Sequence, residues 1–415
     1  MVSGSIACID IGSSKVCAVI ANVAGGRILN VLGVGDVPSQ GVQKGVIVDI
    51  EDASRAIREA LDLAEEAAGF KATQAYVGFT GRHIASVNTV VSVDLGGRDR
   101  MITQSDIREA ERKVEAISFP EDRVTVNVIK RQYAVDNIEG IKNPLGMHGR
   151  RLDLEAHIIT ADMGYRENRA VCLERAGIPL STDNLVANPR ASAEAVLEPE
   201  DKERGAMVLD MGGGTTGVAI YRAGSIWYTG ALPVAGRQVT KDLAMALEAP
   251  FSGAEELKLQ AGTLYPEDMD DAAVKDVLQR FKTSAEEVSY VVRARVEEIL
   301  RMAEAKVPQM PGVLVVTGGT AKLPGMDRFA HEVLGVQARV GLPRYLPEDP
   351  KGLDDPRYAS VVGLALWGSR VTEAGIDGYG RLAQVRSGLR SAWDAVRGRL
   401  PRVSFGGTRP GESQG

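Results

Sequence analysis

The sequence predicts an α/β protein of two duplicated lobes, with a small α+β insertion and a basic amphipathic helix at its C-terminal end. Three observations predict it. A unit of strand, acid, glycine-rich turn and strand occupies residues 5–21 and returns at 206–221, and internal repetition of that kind signals a duplicated architecture. Between 84 and 162 long strand-like runs interrupt the surrounding pattern. From 381 to 402 apolar residues recur every three or four positions among arginines.

The elements follow in order. Residues 5–11 and 15–21 form a hairpin around Gly12-Ser13-Ser14, and 28–37 is a third strand. Ala56, Ile57, Ala60, Leu61, Ala64 and Ala67 mark a helix over 51–68 that Gly69 closes. Residues 75–80 return as a strand. The insertion holds strands at 84–93, 124–133 and 154–160, with a helix opening near Thr103. Helices at 164–176 and 189–197 lead to the second unit, with strands at 206–211, 217–221 and 225–229. Helices at 236–247, 253–261 and 284–305 come next, then a strand at 313–316, a helix from about 325 and a last globular helix at 360–367. Residues 371–380 read as a linker and 403–415 as a disordered tail.

At 415 residues the chain exceeds one hydrophobic core, and 44% hydrophobic against 25% charged residues is a globular balance. The N-terminus lacks a basic segment ahead of an apolar run, so no signal peptide is predicted, and no stretch is apolar enough to span a bilayer. Cys8, Cys17 and Cys172 have no metal-ligand spacing, which favours a reducing cytoplasm. The four histidines are scattered, with core or surface places expected. Six arginines and one acid give the 381–402 segment +5, so the net −6 of the chain leaves −11 on the rest. An acidic body with a basic tail points to an anionic partner for the tail.

The repeated turns carry the chemistry. Asp10-Ile-Gly-Ser-Ser-Lys15 and Asp210-Met-Gly-Gly-Gly-Thr-Thr216 each set a carboxylate at a strand end beside glycines. Glycine allows positive φ and has no Cβ, so successive amides can form an anion nest. Ser13, Ser14, Thr215 and Thr216 add hydroxyls, and Lys15 adds a point charge. Two carboxylates across a cleft suit Mg²⁺, which takes one or two of them with waters and phosphate oxygens. Read alone, each turn is equally a tight hairpin; two copies favour the phosphate reading. The apolar run Val315-Val316-Thr317 enters Gly318-Gly319, where bare backbone can lie against a purine or its ribose.

Two phosphate turns and a late double-glycine turn resemble the superfamily of actin, sugar kinases and heat-shock chaperones. Gly41-Val-Gln-Lys-Gly-Val-Ile-Val-Asp49, Asn143-Pro-Leu-Gly-Met147, Pro189-Arg-Ala-Ser-Ala-Glu-Ala-Val-Leu197 and Thr317-Gly-Gly-Thr-Ala-Lys-Leu-Pro-Gly325 narrow the likeness to the FtsA family, over nearly the whole chain. The resemblance implies an actin-like, duplicated ribonuclease-H-like fold. Subdomain 1A would take 1–83, 163–204 and 361–372, 1C the insertion 84–162, 2A 205–250 and 310–360, and 2B 251–309, with a linker at 373–380. It also implies ATP with Mg²⁺, held through water by Asp10 and Asp210. Gly12, Ser13, Ser14 and Lys15 would take one side of the phosphates and Gly212, Gly213, Gly214, Thr215 and Thr216 the other. Gly236, Glu255, Lys258, Gly318 and Gly319 would surround the nucleoside. Glu255 and Lys258, three apart on a helix, are equally an exposed ion pair.

Two departures bear on catalysis. The family usually places Asp after the Gly-Gly-Gly-Thr-Thr run, where this chain has Gly217. Before Pro189, where relatives carry an acid or glutamine that orients the attacking water, stands Asn188. Phosphoryl transfer to water needs that positioning, so firm ATP binding with weak or no ATPase activity is expected.

The resemblance further implies tethering of the FtsZ ring during cell division, with FtsZ's C-terminal peptide received by 2B, where Arg293, Arg295 and Arg301 lie among acids, and self-association into protofilaments. Later division proteins are further candidate partners. In the tail Leu382, Val385, Leu389, Trp393 and Val396 share the apolar stripe while Arg386, Arg390 and Arg397 fall largely off it. That pattern suits the anionic interface of a membrane, at about 1 kcal/mol per arginine; a helix packed on its own domain is the alternative. The expected location is the cytoplasmic face of the cell membrane at the division site. Nucleic acid is not an expected partner, since the body is not basic. The rival readings are a small-molecule kinase of the same fold and a pilus-assembly actin homologue, neither of which needs such a tail.

Overall fold

A computed structural model describes residues 4–181, 184–268 and 272–377. The residues of the expected amphipathic helix, from Leu382 and Arg386 to Trp393 and Arg397, lie outside it, as does the 403–415 tail.

The first lobe opens with β1 (Gly4–Ile11), β2 (Lys15–Ala24) and β3 (Arg27–Pro38), a meander. The short pair β4 (Val42–Gln43) and β5 (Val46–Ile47) leads into α1 (Ile50–Ala68). Asp49 caps this helix by accepting from Asp52 N, and Gly69 ends it at φ 80°, a conformation costly for any residue with a Cβ. β6 (Tyr76–Phe79) follows, parallel to β1.

The insertion comprises β7 (Ala85–Asp94), β8 (Arg100–Met101), α2 (Gln104–Glu115), β9 (Arg123–Val135), β10 (Ile138–Ile141), β11 (His148–Gly149) and β12 (Arg151–Asp162). Its main sheet has the order β10-β9-β12-β7 and its own core, which includes Ile107 and Val114 of α2 and Leu152 and Leu154 of β12. β12 runs into α3 (Met163–Arg175), capped by Asp162. Then come β13 (Leu185–Ala187), α4 (Asn188–Val196) and α5 (Pro199–Arg204).

The second lobe repeats the meander as β14 (Ala206–Met211), β15 (Thr216–Arg222) and β16 (Ser225–Leu232). Helices α6 (Gly236–Ala246), α7 (Phe251–Ala261), α8 (Ala272–Arg280) and α9 (Ala285–Glu304) follow. Ser284 caps α9 with Glu287 in a reciprocal box. β17 (Val313–Thr317), α10 (Met326–Leu334), β18 (Gln337–Val340) and α11 (Ala359–Asp377) complete the described chain.

The two main sheets have one topology. The first runs β3-β2-β1-β6-β13 and the second β16-β15-β14-β17-β18, each with three antiparallel strands followed by two parallel ones. The duplication visible in the turns therefore extends to whole sheets. One face of each sheet packs on α4 and α11, where Ala191, Ala195, Val361 and Ala365 share a core with Cys8 of β1 and Val208 of β14. Close approach is possible because a Cβ on Gly363 would stand 1.8 Å from the Ala191 carbonyl oxygen. Near the end of α4, Glu194 accepts from Lys202 Nζ at 2.9 Å and Arg370 Nη1 at 2.6 Å, and near its start Arg190 stacks on Trp367 at 3.8 Å.

One expectation needs correcting, and two strands are additions. α11 continues through 373–377, where a linker was expected: the stretch has no proline, and its glycine costs only about 1 kcal/mol in a helix. The edge strands β13 and β18 were not anticipated, since three or four residues carry too little alternation to register. Cys8, Cys17 and Cys172 are buried free thiols.

The insertion is fastened to the second lobe through His157 of β12, whose ring is fully buried between Asn88 Oδ1 (2.8 Å) and Thr229 Oγ1 (3.0 Å). Burial, then Arg131 and Arg190, push its pKa down to about 3, and burial does the same for His83. Both histidines stay neutral in the fold, whereas the unfolded chain takes up protons below about pH 6.5. Their contribution is present above that value and is lost as pH falls towards 3, at roughly 1.4 kcal/mol per unit for each. Denaturant titrations at stepped pH are expected to give a shallower acid decline for His157→Gln than for the parent; identical slopes would mean that the ring protonates in place.

Candidate functional site

The repeated turns face each other. Asp10 and Asp210 are the penultimate residues of β1 and β14, and each turn is closed by the same bond: Gly12 N donates to Lys15 O, and Gly212 N to Thr215 O, both at 3.0 Å. A Cβ on Gly213 would lie 1.8 Å from Ser14 Oγ, and one on Gly214 2.6 Å from Ser13 Oγ. Only glycine lets the two turns meet. Across the same gap Thr80 and Thr215 hydroxyls are 3.4 Å apart, and Arg237 Nη1 donates to Ser13 O at 3.2 Å.

One helix grips both carboxylates. Asn188 Nδ2 of α4 donates to Asp10 Oδ1 at 2.7 Å. One turn further on, Ser192 donates to Asp210 Oδ2, which also accepts from Ser360 of α11 at 2.7 Å. Burial raises the pKa of both acids; Lys15 opposes the rise at Asp10 while Asp210 adds to it, and the two serines oppose it at Asp210. Carboxylates withdrawn from water and repelling one another are relieved by a divalent cation. Among the described residues no group of three or more His, Cys, Asp or Glu could hold a metal, so an ion here would complete its shell with waters and ligand oxygens.

Between the turns lies a cavity of about 440 Å³. Of the residues expected to hold phosphate, Gly12, Ser13, Ser14, Lys15, Gly212, Gly213, Gly214 and Thr215 line it, with Asp10, Asp210 and Asn188. Gly318 and Gly319 line it as well, Gly318 at φ 86° with its Cβ position 2.5 Å from Asp210 Oδ1. The Lys15 ammonium is buried without a hydrogen-bond partner. A cation left so, beside glycines that bare their amides, fits a polyphosphate.

Some expected residues are placed otherwise. Thr216 is fully buried and donates to Val234 O at 2.7 Å, so it offers the cavity no donor. Gly236, Glu255 and Lys258 stand outside the lining: Lys258 bonds Glu255 (2.8 Å) and Thr240 (2.9 Å), and Gly236 N donates to Gly212 O at 3.1 Å. They buttress the second turn. The Asn188 amide nitrogen is engaged by Asp10, which makes the residue a holder of that carboxylate; its Oδ1 has no partner and faces Gly78. Gly217 pairs with Asp210 in register, and a Cβ there would come 2.9 Å from Pro189 Cγ, so any larger side chain would have to displace the helix start. Asp36, Thr80, Arg357 and Ser360 line the cavity unforeseen, because no local motif surrounds them. In the 251–309 region Arg293 pairs with Glu332, Arg295 with Asp242 and Arg301 with Glu304.

A duplicated pair of sheets closing glycine turns over two aspartates defines a protein of the actin-like class. Solved structures agree on the fold. The chain is similar to a PilM–PilN type IV pilus biogenesis complex (TM-score 0.59, 20% identity, 88% of this chain and 98% of the other). It is also similar to MreB5 of Spiroplasma citri bound to AMPPNP (TM-score 0.50, 14% identity, 90% and 98%). The model of "Cell division protein FtsA" matches residues 207–363, and that of the "SHS2 domain inserted in FTSA" matches 81–160. FtsA of Pseudomonas aeruginosa is 35% identical over 87% of this chain and 88% of its own, and that of Bacillus subtilis 33% identical over 87% and 83%. The chain belongs to the FtsA family of cell division proteins. Among the described residues no helix is long and apolar enough to cross a membrane.

Proposed function

We propose that this chain binds Mg·ATP between its lobes and, so loaded, tethers the FtsZ ring to the inner face of the cytoplasmic membrane during division. The observation that carries the nucleotide reading is the buried Lys15 ammonium, without a hydrogen-bond partner, between two glycine turns and two aspartates. Asp10 and Asp210 would hold Mg²⁺ through water, and the bared amides of Gly12 and Gly212–Gly214 would take the phosphates. Lys15 would pair with the terminal phosphate charge, and Gly318-Gly319 would lie against the nucleoside. When bound, the metal supplies charge neutralisation for the triphosphate. With Asn188 standing where an acid or glutamine would orient the attacking water, and its amide nitrogen engaged by Asp10, slow hydrolysis is the consistent outcome.

Family membership supports the division role, and the +5 segment at 381–402, with apolar residues recurring every three or four positions among its arginines, supports attachment to an anionic bilayer. The 251–309 helices would receive FtsZ's C-terminal peptide, and copies of the chain would associate into protofilaments, to which later division proteins could attach.

The test is co-sedimentation of FtsZ with vesicles containing anionic lipid. The full chain with Mg·ATP is expected to carry most of the FtsZ into the pellet. A chain ending at Gly380 should leave it in the supernatant, and Asp210→Ala should pellet only weakly at limiting ATP. Equal pelleting by the full and shortened chains would refute the tether.

A further inference from the structure

Tyr358 ends the short turn Pro356–Tyr358 that leads into α11, and its ring is buried. Its hydroxyl donates to Asp36 Oδ2 at 2.6 Å. Two cations lie over that ring, Lys15 with Nζ 3.6 Å from the centroid and Arg357 with its guanidinium carbon at 4.7 Å. Lys15, Arg357 and Asp36 all line the cavity between the turns. The Arg357 backbone is fixed by Asp355, which accepts from its N at 2.9 Å, and its Cβ stands 4.0 Å from the Cβ position of Gly319.

The aromatic face attracts a cation through its quadrupole, more weakly than a hydrogen-bonded anion does. A carboxylate accepting from the phenol leaves more electron density on the ring and strengthens that attraction. A lysine so held keeps its ammonium in the cavity at little further rotamer cost, yet its hydrogen-bonding capacity is untouched. We propose that Tyr358 is a positioning residue for polyphosphate: fixed by Asp36, it presents Lys15 and Arg357 together as a two-cation anchor, with Arg357 a direct ligand of the anion. The proposal rests on the nucleotide reading above.

Calorimetry with Mg·ATP and Mg·ADP on the full chain tests it. Tyr358→Leu is expected to weaken Mg·ATP binding roughly tenfold to thirtyfold, and Tyr358→Phe to recover most of that loss, since the ring remains. In a Lys15→Gln background Tyr358→Leu should add less than about twofold, the signature of action through Lys15. Arg357→Gln should weaken Mg·ATP more than Mg·ADP, by about threefold to tenfold. A parent that binds while Tyr358→Leu binds equally well overturns the proposal, as does a leucine penalty undiminished in the Lys15→Gln background. Should the leucine variant not fold, Asp36→Asn, at an exposed side chain, serves instead: about threefold weakening is expected, and parental affinity overturns it. Absence of heat from the parent would remove the nucleotide reading itself.

Discussion

Replacing Glu194 by alanine is expected to lower the unfolding free energy by about 3 kcal/mol, read as a lower urea midpoint at unchanged slope. Glu194 is 8% exposed on α4, and its carboxylate accepts from Lys202 and Arg370. Burial works to raise its pKa, but Lys202, Arg370 and then Arg190 outweigh it and hold the group at about 2. Removal leaves those cations facing one another. Arg370 is 44% exposed and can rehydrate, whereas Lys202 is 19% exposed and regains water poorly, which places the cost at the lower end for a broken buried pair. The pH dependence has a definite sign. The unfolded chain binds this proton near 4.5, so the contribution is complete above that pH and is lost as pH falls towards 2. Glu194→Gln should flatten that acid limb. An unchanged midpoint for the alanine variant would mean that the cations are hydrated already.

Gly214→Ala is expected to weaken Mg·ATP binding about a hundredfold while leaving the urea midpoint near that of the parent. The added methyl would meet Ser13 Cβ at 2.7 Å and Lys44 N at 3.1 Å. Ser13 cannot turn aside freely, because it is buried and its Oγ accepts from Gly45 N at 2.9 Å. Parting the lobes would relieve this clash, so its cost is expected to fall on closure and hence on affinity. Gly213→Ala should be milder, since the exposed Ser14 can swing away despite the shorter 1.8 Å approach. Parental affinity in Gly214→Ala would show that ligand enters without the turns meeting.

Much of this architecture was legible because its signals are local. Asp10 with Gly12 and Asp210 with Gly212–Gly214 announce two strand-end turns, and long periodic runs such as α1 and α9 place helices within a residue or two. What was not legible depends on contacts between segments distant in sequence or on the face a strand residue takes. Tyr358 and Asp36 are 322 positions apart, and only the fold makes them neighbours. Thr216 misleads because its hydroxyl belongs to the turn motif by type, while strand alternation points it at Val234 O in the interior. Gly217 looks like a missing acid until Pro189 is seen against it.

The grip of α4 on the two aspartates has a mechanical corollary. Asn188 and Ser192 are four residues apart, about 6 Å along a helix axis, and each anchors a carboxylate from a different lobe. A single rigid ruler therefore sets the spacing of the acids, whatever the lobes do above it. In any opening that leaves these two bonds intact, the rim of turns would spread while the floor keeps its gauge. A divalent ion bound as proposed would meet a seat whose width is set by that helix.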